Sequence, residues 1–135
     1  MLFRSFNTNI ASQTITGTLS ATIVTGEVVK VSLNNGTTWQ TATTTVGSNT
    51  YSLSGVTLTA SNTLQVRVED AAGNAATAKT QAYTFDTVAP TTTVSTVVFS
   101  NDTGTSTTDF ITKTAAQTIT GTLSANLVAG EVVDV

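Results

Sequence analysis

The chain of 135 residues carries five Lys+Arg against eight Asp+Glu, a net charge of −3, and neither His nor Cys. That inventory excludes an imidazole base, a thiolate nucleophile, a Cys/His zinc site and disulfides, and the few scattered cations make no electrostatic footprint for nucleic acid. Charged residues make up 10% of the chain, so polarity falls to 33 Thr, whose β-branched side chains suit strands better than helices.

Taken in order, residues 1–6 lack the charged-then-apolar pattern of a secretory signal, so any export signal is expected outside this chain. Apolar runs are short throughout and predict no membrane insertion. The first strand is read around Ile15, Gly17 and Leu19, which share one face, with Thr14, Thr16 and Thr18 on the other. Val29, Val31 and Leu33 then alternate with Val28, Lys30 and Ser32. The run ends at Asn34-Asn35-Gly36, residues that tolerate the positive φ of a hairpin turn. Tyr51 and Leu53 follow a turn at Gly47-Ser48-Asn49. Leu64, Val66 and Val68 alternate with Gln65, Arg67 and Glu69 up to a loop from Asp70 to Asn74. Tyr83 and Phe85 form the next strand, and Pro90, the only proline, disfavours both helix and central strand, so residues 86–90 read as a linker. Residues 94–99 form the first strand beyond it, and Glu131 is expected to open a further strand with Asp134 inside it. No helix is read.

The chain repeats itself. Residues 13–21, QTITGTLSA, recur at 117–125, and at an offset of 104 there are 18 identities over the 26 pairs from position 6 to 31. One full period and the opening of the next are therefore present. Strand spacing describes an all-β, immunoglobulin-like Greek-key β-sandwich with about seven strands per repeat. On this phasing residues 1–85 form a repeat lacking its first strand, 86–90 the inter-repeat linker, and 91–135 the first strands of the next repeat.

Residues 66–74 (VRVEDAAGN), followed by residues 85–90 (FDTVAP), resemble the tandem bacterial immunoglobulin-like repeats of giant biofilm-type surface adhesins. Residues 102–112 (DTGTSTTDFIT) are similar to the calcium-associated loop of those repeats, and the hairpin at residues 34–39 also matches, with Asn35 where Asp is frequent. The resemblance implies an extender module that holds a distal adhesive domain away from the bacterial cell surface, exported by type I secretion and stiffened by Ca²⁺.

The residues themselves leave the metal question open. Glu27, Glu69, Asp70, Asp86, Asp102, Asp109 and Glu131 lie at turns or strand ends, and with Asn74 they offer the oxygen ligands Ca²⁺ takes. Topology sorts them by pole. Asp86 and Glu131 are expected at a joint between units, Asp102 and Asp109 at the far pole, and Asp70 with Asn74 at the end opposite Asp86. Such a joint would repel itself without Ca²⁺ and lock with it. The competing reading is that Asp70, Asn74 and Asp102 only shape turns through side-chain hydrogen bonds. Glu69-Asp70 is the one adjacent carboxylate pair and has no nucleophile beside it, so no enzyme is expected. The alternative function is a carbohydrate- or ice-binding module using the Thr rows and Trp39, although a Trp after a hairpin turn is ordinarily a packing residue. A repeat without its first strand exposes a sheet edge, and the copy of that strand after Pro90 is expected to complete a neighbouring chain head to tail.

Overall fold

A computed structural model describes residues 6–135. The chain divides into two compact units, Met1–Thr87 and Val88–Val135. It is all-β, with no helix among the described residues.

The first unit is a β-sandwich. One sheet has the order β1(Phe6–Thr8), β8(Lys79–Phe85), β7(Asn62–Glu69), β3(Val28–Ser32), β4(Gln40–Thr41). The other has the order β2(Ser12–Thr18), β6(Thr50–Thr57), β5(Thr43–Thr44). The pairing is antiparallel except between β1 and β8, where Phe6 lies opposite Tyr83 and Thr8 opposite Phe85 in parallel register. The chain crosses between sheets four times, from β1 to β2, β2 to β3, β4 to β5 and β6 to β7.

Alternation explains the layering. On β2 the residues Gln13, Ile15 and Gly17 are half-buried while Ser12, Thr14, Thr16 and Thr18 are exposed, as period-2 patterning requires. On β3 Val29 and Val31 are fully excluded from solvent. They join Ile23 and Ala42 at the centre of the core, against Ile15, Leu19, Tyr51 and Leu53 from one sheet and Leu64, Val66 and Val68 from the other. Each Val so buried contributes roughly 1.5–3 kcal/mol.

The second unit contains β9(Val94–Phe99) and β10(Ile119–Leu123), paired antiparallel with Phe99 opposite Ile119 and Val98 opposite Thr120, and with a register shift between Thr122 and Leu123. Glu131 opens no strand, and Asp134 is not within one. The first-copy strand β3 is held between β7 and β4, whereas the segment after Glu131 makes no strand pairing among the described residues. With no second sheet in this unit, Val94, Val97, Val98, Ile119 and Val132 stay largely exposed.

The repeat is legible in bond geometry. In the first copy Glu27 N donates to Val24 O at 3.1 Å and Val24 N to Glu27 Oε2 at 3.0 Å. In the second Glu131 N donates to Val128 O at 3.1 Å and Val128 N to Glu131 Oε2 at 3.0 Å. Gly26 and Gly130 take the positive φ of that turn, 90° and 97°.

Candidate functional site

The polar loops divide into those with no buried side-chain oxygen lacking a partner and, among the described residues, one that has such an oxygen. The loop after β7 belongs to the first kind. Asp70 Oδ1 accepts from Ala72 N and Asn74 N, both at 2.9 Å, and Asp70 Oδ2 accepts from Asn74 Nδ2 at 2.9 Å. Gly73 N closes the turn on Asp70 O, at a φ of 87°. The Asn74 side-chain bond, followed by the backbone bonds, holds the Asp70 carboxyl below the usual carboxylate range. Asp70 and Asn74 are thus brought together as a turn. Glu69 lies beside them but pairs with Arg67 at 3.0 Å, and Glu27 and Glu131 close their own turns on Val24 and Val128.

The loop between β9 and β10 is different. Asp102 Oδ2 accepts from Phe110 N at 3.0 Å, across a residue with a φ of 61°. Asp102 Oδ1 is buried and has no hydrogen-bond partner. Other oxygens of the same loop are engaged in hydrogen bonds of their own. Thr112 Oγ1 donates to Asn101 O at 2.6 Å and lies 3.2 Å from Thr103 Oγ1, and Asp109 Oδ1 accepts from Ile111 N at 3.1 Å. A buried carboxylate oxygen without a donor is costly, and a hard cation is one way to satisfy it. The unpartnered Asp102 Oδ1 is the one observation in this loop that a hard cation would answer, whereas the Asp70 carboxylate has hydrogen bonds to both of its oxygens. Asp86 N donates to Thr8 O at 3.0 Å at the end of β8. Asp86 belongs to the first unit and Glu131 to the second. Among the described residues, no three acidic side chains gather in one place.

The surfaces expected to offer ligand contacts are also placed. Asn35 occupies the hairpin turn at a φ of 53°, and its Oδ1 accepts from Gln65 Nε2 at 2.8 Å. The Arg67 guanidinium lies 4.0 Å from the Trp39 ring centroid, so a cation covers one ring face. Thr14, Thr16 and Thr18 present a row of exposed hydroxyls on β2.

One feature was not read from the sequence. A cleft of about 380 Å³ opens at the margin of the first sandwich, with Phe6, Ile15, Leu33, Leu58, Leu64 and Tyr83 among its walls. It adjoins β2, whose only partner among the described strands is β6. The signal was present in part, since a missing first strand predicts an open edge, but β1 is too short for its alternation to show.

Comparison with protein-family models and with curated proteins finds no match to this chain. Among the described residues no helix is long and apolar enough to cross a membrane.

Proposed function

We propose that this chain is a stretch of a tandem array of β-sandwich repeats acting as a mechanical spacer, the extender part of a bacterial cell-surface adhesin that supports adhesion and biofilm formation. The observation that carries this reading is the repetition of the same turn, glycine conformation and carboxylate bond at Glu27 and Glu131, 104 residues apart. Repetition at the level of bonds means a unit that recurs, and stacked units supply length. The strand order supports an immunoglobulin-like plan, with β2-β6-β5 as one sheet and β8-β7-β3 at the centre of the other. In an array, the Asp102 loop is the place for structural Ca²⁺, with Asp102 and Asp109 as carboxylate ligands. Bound there, the ion would supply charge neutralisation and tie the loop together.

The alternative glycan-binding reading is weakened by Trp39, whose ring is engaged by Arg67. The test is to build arrays of increasing repeat number and measure their maximum dimension by small-angle scattering with Ca²⁺ and with EDTA. A spacer lengthens in proportion to repeat number and is stiffer with Ca²⁺. Arrays that collapse to a compact globule contradict it. Asp102→Asn is expected to abolish any rise in melting temperature that Ca²⁺ produces.

A further inference from the structure

We propose that strands β1 and β8 form a mechanical clamp, so that tension along the chain meets a joint loaded in shear. The clamp deepens the spacer reading and rests on it, since an array that holds something at a distance carries tension along its length. Among the described strands of the first unit, the one parallel pair joins the first strand to the last. Phe6, Asn7 and Thr8 lie opposite Tyr83, Thr84 and Phe85. Tension enters the unit through the start of β1 and leaves it through the end of β8. In a parallel pair those two points lie at opposite ends, so pulling slides one strand along the other and loads the evenly spaced cross-strand bonds together. An antiparallel pair pulled from one end opens its bonds one at a time.

The outgoing end of β8 is bonded on three sides. Asp86 N donates to Thr8 O at 3.0 Å, which carries the bonding to β1 one residue past the end of β8. Phe85 N donates to Ser61 Oγ at 2.9 Å, in the connection between β6 and β7. Tyr83 Oη donates to Leu33 O at 2.9 Å, just beyond β3. The incoming strand is braced as well. Thr8 Oγ1 accepts from Ile10 N at 3.1 Å and from Gln13 Nε2 at 3.3 Å, and Gln13 Nε2 also donates to Ile10 O at 2.7 Å. These local bonds tie the short turn between β1 and β2 to the strands on either side of it.

A load on β1 is therefore handed to β8, and from β8 through Ser61 and Tyr83 to the connections that follow β6 and β3. Three paired residues add little to equilibrium stability, yet under tension they must fail together. Forced unfolding is governed by the unfolding barrier and not by the equilibrium, so a short parallel pair at the load points can set the force at which the whole sandwich gives way. The direction of pull then matters as much as the stability of the fold.

The absence of Cys lets engineered thiols set that direction. In full-length Thr87→Cys protein, single-molecule pulling between the amino terminus and the thiol shears β1 against β8. In the full-length double variant Ala60→Cys, Thr87→Cys, both thiols replace exposed residues beyond the same end of the β7–β8 pair, where Asn62 faces Tyr83, so pulling between them unzips it. The first unit is expected to unfold at a several-fold higher force in the first geometry, the event being identified by a released contour of about 3.3–3.6 Å per residue. Asp86→Pro, which removes the N–H bonded to Thr8 O, is expected to lower the force of the first geometry. Equal forces in the two geometries, or a shear force that Asp86→Pro leaves unchanged, would overturn the clamp. Neither result touches the scaling of array length with repeat number, so a failed clamp is distinguishable from a failed spacer role.

Discussion

Single side chains carry stability here in proportion to how completely the two sheets enclose them. Val31 is fully buried, so Val31→Ala is expected to cost about 2 kcal/mol in chemical denaturation. Lys30, its neighbour on the other face, bonds Thr41 Oγ1 at the surface, and Lys30→Ala is expected to stay within about 0.5 kcal/mol. Equal effects would mean the face assignment of β3 is wrong. Burial raises the phenol pKa of both tyrosines, Tyr51 and Tyr83, and Tyr83 also donates to Leu33 O at 2.9 Å. Because the folded values lie above the unfolded one, the stability they contribute is complete below about pH 10 and is lost as pH rises through the folded values. An ultraviolet titration should show both phenols ionising above the free value, and at the free value once urea has unfolded the chain. Asp70 runs the other way. Its lowered folded pKa gives a contribution complete above about pH 4 and lost as pH falls through the folded value.

At the scale of elements, the hairpin after β3 is organised by one buried hydroxyl. Ser32 Oγ donates to Asn34 Oδ1 at 3.0 Å and accepts from Asn34 N at 3.3 Å and Gly36 N at 2.8 Å, with only 1% of the residue exposed. Ser32→Ala leaves the Gly36 N–H without that acceptor and is expected to destabilise the fold by about 1–2 kcal/mol. Wild-type stability in that variant would show that water substitutes freely. Strands with long alternation were legible from sequence. Val94–Phe99 was read at both ends, and the face division of β2 and β7 followed from Ile15 against Thr16 and Val66 against Arg67. Strands β1, β4 and β5 were not legible, because two or three residues cannot express a period. Their strand character comes from partners distant in sequence, such as Tyr83 for Phe6. The segment after Glu131 shows the converse, a strand-like pattern that forms no strand among the described residues. For the acidic loops, sequence placed Asp70 and Asp102 alike at turns. Only the bonds separate a carboxylate closed by Asn74 from one with a buried oxygen left over.

For the whole molecule, the opening of the first unit recurs in the second at an offset of 104 residues. The first has both sheets of a sandwich, with β6 the one partner of β2 among the described strands, and the second pairs β9 with β10, the copy of β2. Glycines support the same view. Gly17 lies under the Tyr51 ring, with no room for a Cβ, and Gly121 lies equally close to the Thr96 carbonyl. In the repeated plan this one position must admit a side chain from within and a strand from beside.

The most direct measurement follows from the phasing. Joining residues 88–135 to residues 32–87 yields a single period of 104 residues in which β9 and β10 precede β3 to β8 in one chain, because Val135 stands where Val31 stands. If the repeat is the folding unit, this chain is a monomer by light scattering and unfolds in one cooperative transition at a higher temperature than the 135-residue chain. A chain that fails to fold, or that melts lower and less cooperatively, would contradict the repeat as the unit from which this protein is built.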